Sequence, residues 1–302
     1  MKVVAPAKLN LYLQVGDVRA DGFHEVRTIF SDLSLHDELW VAPAPAFRLL
    51  LTGNYAGHLA ADTNNLAARA ARALAVYSGV RPNVALTLRK QIPVAAGLGG
   101  GSADAAATLR ACDALWRLQT PTAQLAVLAA QLGSDVPFCL QGGVAVGDGR
   151  GEQLRPVLAP HAFHWVLLPS VRQLSASAVY AELDRLRLAG GNRFSSASDA
   201  TLSAALAAVK SGDPSRLARV LRNDLAPAAL SLLPELAQTL ATGAAAGALA
   251  EIVCGSGPTC ALLAADAGHA AELADALGGT QASGLYATPL VVRSGVHAEP
   301  LS

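Results

Sequence analysis

Paired cysteines, a surplus of charge and long unbroken apolar runs are all missing from this sequence, and each absence removes a class of function. The four cysteines, Cys112, Cys139, Cys254 and Cys260, show no Cys-x-x-Cys spacing and sit among apolar residues. They read as reduced core thiols rather than as a disulfide frame or a zinc site. Positive and negative side chains number 23 each, so no net charge draws the chain towards nucleic acid or an acidic membrane surface. Hydrophobic residues make up 52% of the chain and charged ones only 15%, yet Ala carries much of the former. Pro, Gly or a charge interrupts each apolar stretch well short of a membrane span. The opening Met1-Lys2-Val3-Val4-Ala5-Pro6-Ala7-Lys8 has no long apolar core ahead of a cleavage site, so the expectation is a soluble, cytoplasmic protein. No internal repeat is visible. At 302 residues the chain is comfortable for two lobes, and Ala159-Pro160-His161 places their expected boundary between 1–159 and 160–302.

The most informative stretch runs from Pro93 through Val94-Ala95-Ala96-Gly97-Leu98-Gly99-Gly100-Gly101-Ser102 to Ala103. Upstream, Val84 to Lys90 alternates apolar and polar residues as a strand does; downstream, Ala103 to Trp116 is rich in Ala and Leu and predicts a helix. Glycines between a strand and a helix N-terminus let a ligand approach the main chain, where unpaired N–H groups and the positive end of the helix dipole form an anion site. The expected anion is a nucleotide polyphosphate. Two familiar templates do not fit: no Lys stands beside Ser102 as a P-loop requires, and Ser102 itself falls where a dinucleotide fingerprint has its third glycine, ahead of an acidic residue at the end of a second strand. A flexible linker would be polar on both sides, which this run is not.

The remaining candidates are isolated residues. Leu9, Leu11, Leu13 and Val15 alternate with Lys8, Asn10, Tyr12 and Gln14, so Lys8 and Asn10 point the same way from one strand. Phe23 and His24 emerge from the turn Arg19-Ala20-Asp21-Gly22, ahead of short strands expected at 23–26, 29–30 and 33–35. Asp62-Thr63-Asn64-Asn65 caps a helix with Leu66, Ala70, Leu74 and Tyr77 on one face, and Thr120-Pro121-Thr122 caps another ending at Gly133. Asp135 then stands at a break before Val136-Pro137, where capping is the plain role. A hairpin is expected around Gly147 to Gly151 and a strand at 164–168. Helices are expected at about 176–188, 199–211, 214–223, 234–246 and 267–277, a loop at Gly190-Gly191-Asn192, and a last strand from Tyr286 to Val292. Between them, Cys254-Gly255-Ser256-Gly257-Pro258-Thr259-Cys260 turns the chain back with its backbone accessible.

Pro6-Ala7-Lys8-Leu9-Asn10, the Pro93 to Ala103 loop and Gly255-Ser256-Gly257-Pro258-Thr259 stand in the order and character of three motifs, and in them the chain resembles the GHMP kinase superfamily. The resemblance implies an α+β, two-lobe kinase fold, with a mixed α/β N-terminal lobe, a ferredoxin-like C-terminal lobe and the active site in the cleft between them. It implies ATP, its triphosphate on residues 93–103, with Mg²⁺ carried by the nucleotide and no dedicated metal cage. Asp135 is then the general base and Lys8 its partner beside the acceptor hydroxyl. The Asp21-Gly22-Phe23-His24 turn and the Leu132 to Phe138 segment are similar to the branch whose acceptor is a cytidine diphosphate conjugate of methylerythritol, phosphorylated at its 2-hydroxyl. On that resemblance Asn10, Phe23, His24 and Tyr180 hold the acceptor, Phe23 and Tyr180 as opposing rings. Phe23 stands where tyrosine is usual, Ala95 and Ala96 replace loop glycines, and Ala181 follows Tyr180 where some members carry lysine. The expected partner is thus a small molecule, the protein itself a monomer or weak homodimer. Kinases of the superfamily acting on mevalonate, phosphomevalonate, homoserine or a sugar share the phosphate loop, and a non-catalytic nucleotide sensor could keep it too.

Overall fold

A computed structural model of the chain describes residues 1–190, 199–279 and 284–295; Gly191 and Asn192 of the expected loop lie outside the described residues. The structure is built on two sheets. The first opens with β1 (Lys2–Val18) and β2 (His24–Pro43), antiparallel along almost their whole length. The three short strands expected between Phe23 and Leu35 are one strand of 20 residues. Polar interruptions mark ladder positions rather than turns: Thr28 pairs with Leu13 and Asp32 with Lys8. Register shifts between Pro6 and Lys8 and between Asn10 and Tyr12 bracket Lys8 and Asn10, the sort of irregularity that re-aims side chains beside a site.

On its other edge β2 is shared. Its far half pairs with β4 (Val84–Arg89), which carries β3 (Arg48–Thr52), and its near half pairs with β5 (Val144–Asp148) of the hairpin closed by β6 (Gln153–Pro156). Helices α1 (Leu66–Ser78), α2 (Gly100–Trp116), α3 (Thr122–Leu132) and α4 (Val136–Gln141) accompany this sheet. Asn65 caps α1 by accepting from the Ala67 N–H, and Gly79 ends it in the left-handed conformation. The buried face of α1 is almost all alanine, with Leu74, while Tyr77 is exposed.

The second sheet has the order β11 (Leu290–Arg293), β7 (His164–Leu168), β10 (Cys260–Ala264) and β9 (Ala250–Val253), every pair antiparallel. With helices inserted between β7 and β9 and between β10 and β11, that order is ferredoxin-like. Both of its faces are buried, and the two-residue period separates them. Trp165, Leu167, Ala261 and Leu263 join the core that contains Leu9 and Leu11 of β1. Val166, Leu168, Cys260 and Leu262 face a second core containing Val179, Leu183, Leu236 and Leu273. The lobes therefore share apolar packing along their contact.

The helices of the second half are α5 (Ala176–Gly190), α6 (Asp199–Ser211), α7 (Pro214–Ala218), α8 (Ala226–Leu232), α9 (Glu235–Ala245) and α10 (Ala267–Gly278). The helix expected over 214–223 stops at Ala218, because Arg222 and Asn223 form β8, a parallel addition to β1 in the first sheet. That pairing with a distant strand overrides local propensity. Helix α8 has no counterpart among the expected elements, and the final strand begins at Leu290, Tyr286 making only an isolated bridge to Ser170. All four cysteines are buried and free, their thiols pushed up by desolvation.

Candidate active site

Three segments meet at the Lys8 side chain. The alternation of β1 puts Lys8 and Asn10 on one face, where Lys8 Nζ donates to Asn10 Oδ1 at 2.8 Å. Asn10 Nδ2 donates to Thr28 Oγ1 at 2.8 Å, and Thr28 donates in turn to the Tyr12 carbonyl at 2.7 Å. Both side chains are buried, so this relay fixes them. The amine also stands 3.3 Å from Asp135 Oδ2 and 5.8 Å above the Phe30 ring, which stacks on Phe138 at 4.7 Å. Asp135 occupies the cap position of α4 but makes no side-chain cap bond. Its carboxylate is aimed at Lys8 instead, and its side chain remains 32% exposed, open to a ligand.

The glycine loop closes on the same amine. The Lys8 N–H donates to the Leu98 carbonyl at 2.9 Å, and a Cβ on Gly99 would lie 2.8 Å from Lys8 Cγ. Helix α2 begins at Gly100, so the N–H groups of Gly100, Gly101 and Ser102 have no carbonyl a turn behind them. The Ala103 N–H does, bonded to Gly99 O at 2.9 Å, and Ala103 and Leu98 bury their side chains in the core. From the other lobe, a Cβ on Gly97 would fall 1.9 Å from the Cys254 carbonyl oxygen, and one on Gly255 would fall 3.1 Å from Lys8 Nζ. Asn223 holds this turn by donating to the Val253 and Gly255 carbonyls, both at 2.7 Å.

Two clefts open on either side of the loop. One, of about 610 Å³, is lined by Lys8, Asn10, Phe23, His24, Phe30, Asp135, Arg150, Tyr180 and Asp184. The other, of about 690 Å³, is lined by Asn64, Asn65, Lys90 and Asp104 together with Pro93, Val94, Ala95, Ala96, Gly100 and Gly101. Gly97, Gly99, Ser102, Ala176 and Ser256 belong to both, and so form their common wall.

In the first cleft the ring that meets Tyr180 is that of His24, at 4.9 Å and a 32° tilt. Phe23 is half exposed and carries the Arg150 guanidinium 4.8 Å over its ring. The two rings expected to oppose each other across the base thus each lean on another group, Tyr180 on His24 and Phe23 on Arg150. Burial, with the Asp135 charge adding to it, pushes the Tyr180 phenol up from its ordinary value.

Several groups here carried no local signal. Asp184 bonds His24 Nε2 at 2.8 Å across 160 residues. Arg150 sits in a turn read only as glycine-rich. Beneath the second cleft Lys90 donates to both Asp37 and Asp104, all three fully buried. Asp37 also accepts from the Ile92 N–H at 2.9 Å, while Asp104 Oδ1 has no partner. Desolvation, opposed by Lys90 and reinforced by Asp37, pushes the Asp104 carboxyl up to about 8. Of these groups only Lys90, by its position at a strand end, could have drawn attention.

The chain matches the GHMP kinases N terminal domain over residues 65–143 and the GHMP kinases C terminal domain over residues 205–282. A protein of Salinispora arenicola (strain CNS-205) named 4-diphosphocytidyl-2-C-methyl-D-erythritol kinase is 53% identical over 277 residues, covering 91% of this chain and 87% of that one. A solved structure of 4-(cytidine 5'-diphospho)-2C-methyl-D-erythritol kinase superposes with a TM-score of 0.79 at 33% identity, over 98% of this chain and all of the other. The mevalonate kinase of L. major, solved with R-mevalonate, has a TM-score of 0.77 at 16% identity over 99% of this chain and 97% of that one, a likeness of fold alone.

Proposed function

The chain belongs to the 4-diphosphocytidyl-2-C-methyl-D-erythritol kinases of the GHMP superfamily, and from that premise we propose how its two clefts divide the reaction. The activity is ATP-dependent phosphorylation of the 2-hydroxyl of 4-diphosphocytidyl-2-C-methyl-D-erythritol in the non-mevalonate route to isoprenoid precursors. We assign the larger cleft, beside Asn65, Lys90 and the loop, to the nucleotide and the cleft holding Lys8, Asp135 and His24 to the acceptor. We take residues 1–159 and 160–302 as the two lobes.

The observation that carries this division is the placement of the Lys8–Asp135 pair, 3.3 Å apart, on the acceptor side of a wall that both clefts share. A hydroxyl lying between Asp135 and that wall passes its proton to the carboxylate as its oxygen attacks the terminal phosphorus. The oxygen of the leaving ADP departs on the far side, towards the nucleotide cleft. Lys8 cannot swing away, because Asn10, Asp135 and the adjacent Gly255 backbone enclose it, so it orients both the carboxylate and the incoming oxygen. The N–H groups of Gly100, Gly101 and Ser102 face charge that builds on the phosphoryl oxygens.

Mg²⁺ forms part of the proposal as a companion of the nucleotide. Among the described residues no group of three or more His, Cys, Asp or Glu side chains could hold a metal alone. The hydroxyl oxygen at the loop, Ser102 Oγ, suits a hard cation that keeps phosphate and water as its other ligands. When bound, such an ion neutralises charge on the transferred group.

The test is a coupled ADP-release assay over a panel of acceptors. Turnover of the cytidyl compound, with mevalonate and homoserine ignored, is the expected outcome. Turnover of either of those in place of the cytidyl compound would overthrow the assignment.

A further inference from the structure

Helix α5 presents two side chains to the acceptor cleft one turn apart, Tyr180 and Asp184. Both engage the same partner. Tyr180 lies against the His24 ring at 4.9 Å, and Asp184 Oδ1 is 2.8 Å from His24 Nε2. His24 itself is buried at the start of β2, so its ring has little freedom. Its other nitrogen, Nδ1, makes no hydrogen bond among the described residues, and the ring lines the cleft.

We propose that Asp184 is a positioning residue that fixes the tautomer of His24 and so makes the acceptor site select cytosine over uracil. A carboxylate only accepts, so in the neutral imidazole it holds the proton on Nε2 and leaves Nδ1 as an acceptor. Cytosine and uracil differ at one edge position: cytosine carries an exocyclic amine, a donor, where uracil carries a carbonyl, an acceptor. An Nδ1 lone pair in a buried site bonds the first and opposes the second, leaving two acceptors face to face. The aromatic surfaces of Phe23 and Tyr180 cannot make this choice, since every base has a π-face. Two other polar side chains of the cleft are committed elsewhere: Asn10 to Lys8 and Thr28, and Ser177 to Ser175.

This inference rests on the cytidyl acceptor of the preceding section, and the experiment separates the two. Wild-type enzyme and the variants Asp184→Asn, Asp184→Ala and Asp184→Glu are assayed with the cytidyl acceptor and its uridyl counterpart. Asp184 is 39% exposed at its side chain, so these changes should leave the fold intact. The wild type should turn over the cytidyl compound; if it does not, the functional reading fails before Asp184 is tested. Given that turnover, the ratio of kcat/KM for cytidyl over uridyl should fall roughly 10- to 100-fold in Asp184→Asn and Asp184→Ala. The loss should lie in acceptor KM, with ATP KM unchanged, and Asp184→Glu should restore much of the ratio. Independently of the Asp184 variants, ¹⁵N spectra of the wild type, with His24 assigned by its loss in His24→Gln, should report a ring protonated at Nε2 alone. A ratio unchanged in both Asp184→Asn and Asp184→Ala, or a ring protonated at Nδ1, overturns the proposal.

Discussion

Gly97→Ala offers the sharpest test of how the lobes and the phosphate loop depend on one another. Gly97 has φ +77°, and a Cβ there would lie 1.9 Å from the Cys254 carbonyl oxygen and 2.9 Å from its carbon. Ordinary contact begins near 3.4 Å, so loop and turn would have to part by roughly 1.5 Å, which overpacks their contact. Neither side yields easily. The Cys254 carbonyl accepts from the Gly257 N–H at 2.7 Å, the Cys254 N–H is bonded to Thr259 O at 2.8 Å, and Asn223 clamps the carbonyls on both sides. The loop, in turn, is tied through Leu98 to Lys8.

Two costs then combine: about 1 to 2 kcal/mol for an L-residue in the left-handed region, and about 1 to 3 kcal/mol for the overlap. For a chain of 302 residues that is a fall in Tm of about 3 to 8 °C. Gly79→Ala supplies the control, since Gly79 has φ +68° with nothing within 4 Å of where a Cβ would stand and lies at the end of α1; it should show the first cost alone. Because a misplacement of about 1 Å can cost about 100-fold in rate, kcat/KM for ATP should fall by about that factor in Gly97→Ala and stay unchanged in Gly79→Ala. Differential scanning calorimetry and ATP-dependent kinetics on both variants decide the matter. Equal destabilisation of the two, or normal ATP kinetics in Gly97→Ala, would refute the reasoning.

Asp135→Asn keeps the shape of a side chain that is one-third exposed, so calorimetric ATP binding should remain near that of the wild type while kcat drops by about 10² to 10⁴; undiminished turnover removes Asp135 as the base. Ala95 holds φ +52° without being glycine. Ala95→Gly should therefore stabilise the chain by about 0.5 to 1 kcal/mol in urea titrations, the relief of left-handed strain exceeding the added chain entropy, and a loss of stability would contradict this. The Asp104 carboxyl, pushed up to about 8 from an ordinary value near 4, keeps a proton in the folded chain that the unfolded chain releases. The unfolded state binds fewer protons between about pH 4 and 8, so this group lowers stability as pH rises through that window and costs nothing below it. Asp104→Asn, an uncharged mimic of the protonated acid, should flatten that decline in Tm against pH, and an unaltered slope would show that the proton is not there.

What could be read from the sequence was whatever obeys a local rule. Lys8 and Asn10 share a face because strands have a period of two; the loop announces itself because four glycines join a strand to a helix. The pairing of β8 with β1 could not be read, because Arg222 and Asn223 continue a helical pattern and only a strand some 210 positions away draws them out of it. The single long β2 was hidden because residues that look like interruptions, Thr28, Ser31 and Asp32, are buried polar positions serving the relay and the hairpin, as when Asp32 accepts from the Gly143 N–H at 2.8 Å. Asp184, Arg150 and the Asp37–Lys90–Asp104 group belong to the same class, each meaningful only through a partner on another element.

Along the linear chain, the glycine loop and the Gly255 turn look like places where the backbone needs freedom. In the structure the positions at Gly97, Gly99 and Gly255 are crowded, each with a neighbour between 1.9 and 3.1 Å from where a Cβ would stand, and two of those neighbours belong to Lys8. Small residues are required there because three backbones converge on one amine, and that convergence holds Lys8 against Asp135 before any ligand arrives. The site is therefore preorganised by close packing between the lobes, and enlarging any of these three positions should disturb the position of Lys8 as well as the loop it borders.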